Sequence, residues 1–161
     1  RPEYLSDDKA DSKSVIQHAI KKIDLEIPYD FLILLQPTSP LRNFKHIDEA
    51  CKKILKDNND SLISVTKSDN KVLKTLISDS HGNLSAPFDK GLFEWMPRQS
   101  FPDTYLPNGA IYISRLDSFS KDPTFIQDKT SMYVMEKDES IDIDNLNDID
   151  LATNLIKARI T

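Results

Sequence analysis

The sequence has 161 residues, of which 39% are hydrophobic and 29% are charged, and its formal net charge is −5. These values are typical of one globular domain with a hydrophobic core. A negative net charge without a basic run argues against nucleic acid as the main partner. The longest apolar run, "FLILL", is far shorter than the roughly 20 residues of a membrane-spanning helix, so we expect no membrane partner.

A single cysteine, Cys51, excludes an internal disulfide bond. It fits a reducing compartment, so we expect a cytoplasmic protein. The three histidines lie far apart and lack the spacing of zinc ligands. The chain opens at Arg1 and Pro2 without a methionine or a signal-peptide pattern, and we therefore expect that it begins within a longer protein.

The first half alternates between helical and strand patterns. Apolar residues recur at helical spacing in "SKSVIQHAIKKI", where Ser12 or Ser14 is the predicted cap. The continuous apolar run in "DFLILLQ" is typical of a strand covered on both faces. A second helix is predicted in "NFKHIDEACKKILKDNN", ending at Asn58 and Asn59, and a second strand in "SLISVTK". This order predicts an α/β sheet of parallel strands with right-handed crossovers.

The second half is less regular. The stretch "VLKTLISDSHGNLSAPF" predicts a strand, a turn and a strand. The next stretch, "DKGLFEWMPRQSFPDTYLPNG", has no period, and such long irregular segments are usually functional or form an interaction arm. Short strands are predicted in "AIYISR", "MYVME" and "SIDID". A closing helix is predicted in "NDIDLATNLIKARI", packing through Ile149, Ala152, Leu155 and Ile156.

The "SIDID" segment carries two acidic side chains at alternate positions. In a strand, Asp142 and Asp144 point to one face, roughly 7 Å apart, while Ile141 and Ile143 point into the core. Two such carboxylates can converge on a hard cation such as Mg²⁺. The alternative is a half-exposed strand with solvated acids, followed by a helix that Asn147 or Asp148 caps. The pattern alone leaves both open.

Polar residues also follow the first predicted strand, in "LLQPTSPLR". Ligands of open α/β sheets bind beyond the carboxyl ends of the strands, where Gln36, Thr38 and Ser39 would lie. Gln36 offers a donor and an acceptor, which suits a neutral polar ligand such as a sugar. A proline-fixed turn, with Ser39 bonding the local backbone, fits the pattern equally well.

A third polar stretch, "PRQSFPDTYLPNGAIYISR", contains Arg98, Gln99, Asn108 and Tyr112. Arginine recognises carboxylates through a planar fork of donors, and Gly109 permits an unusual backbone angle ahead of a strand. An ordinary surface loop is the alternative. The sequence shows no arrangement for a covalent nucleophile, and its three glycines form no phosphate-binding loop.

In their order, these motifs resemble the cytidylyltransferases that activate nine-carbon acidic sugars, the CMP-sialic acid synthetase (N-acylneuraminate cytidylyltransferase) family. The resemblance covers almost the whole chain. It runs through "RPEYLSDD", "SVIQHAI", "LLQPTSPLR", "HIDEA", "PRQ", "PNGAIYI", "SIDID" and a terminal helix. Each motif alone is weak evidence for this family, whereas the order and spacing of the motifs together are specific to it.

The resemblance implies an α/β fold with a Rossmann-like nucleotidyltransferase sheet flanked by helices. Its core would comprise residues 1–71 and 108–161, and residues 72–107 would form a protruding, β-rich dimerisation and sugar-binding arm. The implied reaction transfers CMP from CTP to a nine-carbon keto sugar acid, sialic acid or a relative, and releases pyrophosphate. The resemblance further implies Mg²⁺ as the cofactor and a homodimer as the assembly.

The resemblance also implies roles for individual residues. Asp142 and Asp144 are catalytic and metal-binding, and Arg1 and Ser12 bind the nucleotide. Lys74 and Arg98 lie where family members reach across a dimer towards the sugar carboxylate or its surroundings. The predicted substrate-binding residues are Gln36, Lys74, Arg98, Gln99, Asn108 and Tyr112. The aromatic residues Phe93, Trp95 and Phe101 would pack within the arm or at the dimer interface.

Two departures from the family pattern qualify these expectations. The family's N-terminal strand and its Gly-, Arg- and Lys-containing triphosphate loop are absent from this sequence, so we expect residues 1–161 alone to be inactive or severely impaired. Sialic-acid members often carry a His-His-Pro element where this chain has Asp69, Asn70 and Lys71, which leaves sialic, pseudaminic and legionaminic acids open. Two alternatives remain: a non-catalytic sugar-acid-binding or dimerisation module, and a cytidylyltransferase for another keto sugar acid such as 3-deoxy-manno-octulosonate.

Overall fold

The computed structural model describes residues 2–6, 10–23, 29–88 and 91–160, and these form a mixed α/β fold. Four helices flank the main sheet: α1 (Ser12–Lys22), α2 (Phe44–Asp57), α3 (Leu116–Lys121) and α4 (Leu146–Ile160). The sheet has the strand order β1-β5-β2-β6, with β1 (Phe31–Leu34), β2 (Ser61–Ser68), β5 (Thr104–Arg115) and β6 (Thr130–Val134). Two further strands, β3 (Ile77–Ser78) and β4 (Leu84–Ser85), pair separately as an antiparallel hairpin.

The main sheet is mixed, and the prediction of a parallel sheet is wrong for its central strand. β5 pairs antiparallel with both β1 and β2, whereas β2 and β6 are parallel. β1 and β2 therefore run in the same direction, as predicted, but they are not neighbours. The helix-strand order of the first half could not reveal this, because the intervening strand comes from a much later part of the chain.

β1 is less covered than its apolar sequence predicts. Within the described residues it pairs only with β5 and lies at the edge of the sheet. Ile33 is 40% exposed. The prediction of a strand covered on both faces is therefore wrong for the described residues, because no residue of β1 is fully buried and Ile33 is exposed.

The hydrophobic core lies between α2 and the sheet. Ala50 and Ile54, four residues apart on one face of α2, cluster with Leu62 of β2 and with Ile111 and Ile113 of β5. Each of these side chains is buried. The periodicity of α2 thus predicted correctly which of its faces meets the sheet.

The ends of the helices follow local capping chemistry. α2 ends at Asn58, which adopts the left-handed conformation with φ 51°, as the asparagine pair predicts. The cap of α1 is Asp11 instead of Ser12 or Ser14: its Oδ1 accepts from the Ser14 backbone N–H at 2.7 Å. The bonds from Ser14 hold the pKa of Asp11 below its usual value. Ser12 occupies the exposed first position of the helix, and its side chain does not serve as the cap.

The "SIDID" segment is not a strand. Residues 140–143 lack strand structure, and the chain bends at 144–145 to enter α4. One backbone hydrogen bond, from Ile143 N–H to Thr38 O at 2.9 Å, attaches the segment to the loop that follows β1. The period-two pattern therefore corresponds to a connecting segment that forms no strand ladder among the described residues.

The closing helix packs through fewer residues than predicted. Ala152 is 3% exposed, whereas Ile149 and Ile156 are 44% and 39% exposed. Within the described part of the chain, no helix is long and apolar enough to cross a membrane.

Candidate active site

Three polar side chains converge on Gly109 in β5. A Cβ atom built on this glycine would lie 2.7 Å from Gln36 Oε1, 3.2 Å from Asp142 Oδ2 and 3.3 Å from Ser39 Oγ. Gly109 has φ +75°, a conformation that residues with a side chain rarely adopt. The glutamine loop and the "SIDID" segment, which are far apart in sequence, thus meet where the backbone leaves room for them.

A bulge in β5 creates this meeting point. Ile63 pairs with Tyr112 and Val65 pairs with Pro107, so Ser64 alone faces residues 108–111. The Ser64 Oγ accepts from the backbone N–H of Ile111 at 2.7 Å, which satisfies a donor that the bulge removes from the ladder. Bulges of this kind redirect backbone and side chains beside functional sites.

Asn108 lies inside the bulge and is 4% exposed. Its Oδ1 accepts from Ser64 Oγ at 2.6 Å and from the Ala110 N–H at 3.2 Å. Its Nδ2 donates to Ser140 Oγ at 2.9 Å and to Met135 Sδ at 3.3 Å. These four bonds use the full capacity of the amide, which gives Asn108 a structural role. A direct contact with the sugar stays a prediction.

Asp142 presents one carboxylate oxygen without a partner. Its Oδ1 is buried and has no hydrogen-bond partner among the described residues, while its Oδ2 faces Gly109. A buried, unsatisfied carboxylate oxygen costs free energy, so this atom suits a cation or a donor from a ligand. The same carboxylate acts on Tyr112: burial, and then the charge of Asp142, raise the pKa of the Tyr112 hydroxyl.

Asp144 stands in a different environment, because it is exposed at the start of α4. Its backbone N–H and that of Asn145 each donate to Asp148 Oδ2 at 3.0 Å. Asn145 Oδ1 accepts in turn from the N–H groups of Asn147 and Asp148, at 2.9 Å and 3.3 Å. The cap of α4 is therefore Asn145, instead of Asn147 or Asp148, and Asp148 completes a reciprocal capping box.

A shared metal site for Asp142 and Asp144 stays a prediction. Among the described residues, no group of three or more His, Cys, Asp or Glu side chains is placed to hold a metal ion. The unsatisfied Oδ1 of Asp142 is the feature that fits Mg²⁺, because this ion prefers carboxylate oxygens and takes its remaining ligands from phosphates and water.

Two adjoining cavities bring other predicted residues together. The first, of about 280 Å³, is lined by Ser12, Gln36 and Tyr112, and its apolar wall includes Leu34 and Phe119. The second, of about 270 Å³, shares Ser12 and Gln36 with the first. One predicted nucleotide-binding residue and two predicted substrate-binding residues therefore face the same space.

The remaining predicted substrate-binding residues, Lys74, Arg98 and Gln99, lie between residues 72 and 107, the segment predicted as the arm. Lys74 Nζ donates to Glu94 O at 3.2 Å and sits 5.4 Å from the centre of the Phe101 ring. Arg98 lines a separate cavity of about 140 Å³, and Gln99 is exposed in the same short 3₁₀ turn. None of the three is among the described residues that line the two cavities beside Gln36. Arg1 lies outside the described residues.

The segment predicted as an arm has its own small structure. Phe93 packs edge to face against Phe88 and Phe101, with ring centres 6.5 Å and 5.9 Å apart. Trp95 is 85% exposed. Residues 104–107, which we assigned to the arm, begin β5 and belong to the main sheet. The division of the chain into core and arm otherwise stays a prediction.

Sequence reasoning missed two residues that hold the site together. Arg42 Nη1 donates to the backbone oxygens of Gln36 at 2.8 Å and Ala110 at 2.9 Å. Ser64 fixes the bulge, as described above. Arg42 ends the motif "LLQPTSPLR", and its place in that motif was a weak indication of a role in the site. The sequence around Ser64 indicated no such role, because the partners of Ser64 are distant in sequence.

Comparison with known proteins identifies the family. No family model matches the chain. The chain is 35% identical over 158 residues to an N-acylneuraminate cytidylyltransferase of Escherichia coli, covering 96% of this chain and 36% of that protein. It is 31% identical over 160 residues to a CMP-N,N'-diacetyllegionaminic acid synthase of Legionella pneumophila, covering 98% of this chain and 67% of that protein. The chain belongs to the N-acylneuraminate cytidylyltransferase family.

Another member of this family is more distant. The chain is 24% identical over 158 residues to a pseudaminic acid cytidylyltransferase of Campylobacter jejuni, covering 98% of this chain and 67% of that protein. The chain spans about a third of the length of the N-acylneuraminate cytidylyltransferases of E. coli and Streptococcus agalactiae, with 36% and 34% of those proteins covered. The order of motifs thus predicted the family correctly.

Proposed function

We propose that the protein containing this chain is a cytidylyltransferase that transfers CMP from CTP to a nine-carbon keto sugar acid. The anomeric hydroxyl oxygen of the sugar bonds to the α-phosphorus of CTP and loses its proton to solvent, and the bond from that phosphorus to the pyrophosphate oxygen breaks. The convergence of Gln36, Ser39 and Asp142 on Gly109 carries this proposal. The names of the relatives, which specify cytidylyl transfer to such acids, support it.

The sugar acid is proposed to bind beside Gln36 and Tyr112. Gln36 supplies a donor and an acceptor, which matches the hydroxyl groups of a sugar. Tyr112 keeps its proton at neutral pH, because the pKa of a tyrosine is ordinarily about 10 and burial and the charge of Asp142 raise it further, so its hydroxyl is available to donate a hydrogen bond. The apolar wall that includes Leu34 and Phe119 excludes water and strengthens these polar contacts. Ser12, which lines both cavities, is the proposed contact for the nucleotide.

Asp142 and Asp144 are the proposed holders of Mg²⁺. Asp142 contributes the buried oxygen that lacks a protein partner, and the exposed Asp144 lies two residues further along the same segment. When bound, Mg²⁺ would offset negative charge on the phosphates of CTP. The protein itself contributes position, because the bond from Ile143 to Thr38 holds this segment against the glutamine loop.

The proposed assembly is a homodimer in the cytoplasm. Exposed apolar residues of the predicted arm, residues 72–107, suit contact with a second copy: Leu76, Ile77, Leu84, Leu92 and Trp95. Lys74 and Arg98 lie in this segment and do not line the cavities beside Gln36, which is consistent with their serving a site on the partner. The cytoplasm fits the single cysteine.

The test is a turnover assay on the natural protein that contains this chain. It is given CTP, Mg²⁺ and, in turn, sialic, pseudaminic, legionaminic and 3-deoxy-manno-octulosonic acids, and pyrophosphate release is measured. We expect turnover with at least one nine-carbon acid, lost on chelation of Mg²⁺ and in Asp142→Asn and Asp144→Asn. Asp148→Asn is the matched control, because that acid caps α4, and it should keep most of the turnover.

Other results would replace the proposal. Binding of a free sugar acid without pyrophosphate release from CTP would favour the non-catalytic module. Release with 3-deoxy-manno-octulosonic acid alone would favour the alternative transferase. Undiminished, Mg²⁺-dependent turnover in Asp144→Asn would return that acid to a solvated surface role. The same assay on residues 1–161 alone checks the expectation that this part is inactive.

A further inference from the structure

We infer that Arg42 is a positioning residue that sets the place of Gln36 relative to the bulge of β5. This inference rests on the proposed function, because it concerns how the sugar acid is held. A single guanidinium nitrogen, Nη1, donates both to Gln36 O at 2.8 Å and to Ala110 O at 2.9 Å. One atom therefore ties the glutamine loop to the strand that carries Gly109.

The electrostatic setting of Arg42 agrees with a positioning role. Among the described residues, Arg42 forms no ion pair with a carboxylate. Burial lowers the pKa of its guanidinium, although the group remains charged at neutral pH. Partial burial of a cation costs free energy, which its charge-assisted bonds to the two carbonyl oxygens offset. The acceptors of those bonds, Gln36 O and Ala110 O, belong to the two backbone segments that flank the site.

The geometry shows why the position of Gln36 is sensitive. Its Oε1 lies only 2.7 Å from the place where a side chain on Gly109 would begin, so the amide is already at close approach to the strand. The loop has other attachments, including the bond from Ile143 N–H to Thr38 O. Loss of Arg42 should therefore shift the loop without detaching it. Misplacing a substrate contact by roughly 1 Å can cost up to about a hundredfold in kcat/KM.

The experiment compares two arginines of the natural protein. Arg42→Lys and Arg42→Gln are tested against Arg115→Lys, because Arg115 also donates to a carbonyl oxygen, that of Asn59 at 3.3 Å, but at the opposite end of β5. We expect the Arg42 variants to raise the KM for the sugar acid about tenfold or more and to change the KM for CTP less than about twofold. Arg115→Lys should lower thermal stability without changing the ratio of the two KM values.

A double variant tests whether Arg42 acts through Gln36. In a Gln36→Ala background, Arg42→Gln should add less than about twofold to the KM for the sugar acid, because the group that it positions is gone. Full additivity of the two effects would overturn the inference. An equal rise of both KM values in the single Arg42 variants would overturn it as well.

A second measurement tests, without a turnover assay, whether Arg42 positions the side chain of Gln36. The side-chain amide signals of Gln36, assigned by their loss in Gln36→Ala, are followed by NMR in the unliganded protein. We expect them to move in Arg42→Lys and to stay in Arg115→Lys. Unmoved signals in Arg42→Lys, or equal movement in both variants, would overturn the inference. If the unaltered protein turns over no sugar acid, the proposed function fails, and these signals still decide whether Arg42 places Gln36.

Discussion

Ser64 and Asn108 are joined by a buried hydrogen bond of 2.6 Å across the bulge of β5. The same serine oxygen accepts from the Ile111 N–H at 2.7 Å. A side chain of β2 therefore replaces the ladder bonds that the bulge breaks, and it keeps Gly109 where Gln36 and Asp142 can approach.

Ser64→Ala should destabilise the protein by about 2 kcal/mol, because it leaves a buried amide oxygen and a backbone N–H without this partner. Urea unfolding measures the loss. Ser114→Ala is the control: Ser114 is equally buried, but among the described residues its Oγ donates only to the adjacent Arg115 O at 3.2 Å, so we expect less than about 1 kcal/mol. Equal losses in the two variants would contradict a special role for Ser64.

Gly109→Ala and Gly82→Ala separate backbone strain from a clash in the site. Both glycines have positive φ, +75° and +83°, so each alanine should cost about 1–2 kcal/mol of stability. Only the alanine at 109 would meet other atoms within 4 Å, beginning with Gln36 Oε1. We therefore expect turnover to fall about tenfold or more in Gly109→Ala and to stay near its original value in Gly82→Ala. Similar activity in both variants would argue against the site at Gly109.

The pKa of the Tyr112 hydroxyl should respond to the negative charge of Asp142. Burial and this carboxylate raise the pKa above the ordinary value of about 10. The stability that the protonated phenol contributes is fully present below the pKa of the unfolded state, and it is lost as pH rises through the higher pKa of the folded state. Asp142→Asn removes a nearby negative charge, so the pKa of Tyr112 should fall. Alkaline absorbance titration, with Tyr112→Phe to assign the signal, measures the change.

Tyr133 provides the control for that titration. Its hydroxyl donates to Glu49 Oε2 at 2.6 Å, and burial together with Glu49 raises its pKa. Glu49→Gln should therefore lower the pKa of Tyr133 and leave that of Tyr112 unchanged. If Asp142→Asn changed neither tyrosine, Asp142 and Tyr112 would not share a site.

Arg98→Ala should weaken binding of the sugar acid by about tenfold to a hundredfold, with little effect on CTP, because it removes a charged donor for a carboxylate. Steady-state KM values for both substrates measure this. Lys71→Ala is the matched control, since Lys71 lines the same small cavity but pairs with Asp69 at 3.0 Å. Equal weakening of the two substrates by Arg98→Ala would contradict the assignment.

Local patterns predicted the elements whose stabilising contacts are local. The spacing of Ala50 and Ile54 identified the buried face of α2, and Asn58 marked its end. The "SIDID" alternation failed because a strand requires a partner, and this segment bonds to the Thr38 carbonyl through an isolated bond. A sequence pattern predicts which faces of an element are apolar. Strand pairing depends on which distant segment of the chain lies next to the strand.

The candidate site was predictable in part. Motif order placed Gln36, Tyr112 and Asp142 in one site, and the structure brings all three to the region around Gly109. Arg42 was missed because its partners are backbone oxygens, which carry no residue-specific signal. Ser64 was missed because its partners, Asn108 and Ile111, are distant in sequence. Asn108 was predicted as a ligand contact, but its amide fills the bulge, a use that becomes apparent only when the register of β2 and β5 is known.

The position of β5 constrains how this protein is made. The strand lies between β1 and β2 although it follows both along the chain, and it pairs Phe31 with Arg115. On the ribosome, β1 and β2 therefore emerge before the strand that joins them, with backbone edges open to wrong partners. Closing such long-range pairs is slow. β1 and β2 can be fully joined through β5 only after Arg115 has left the exit tunnel.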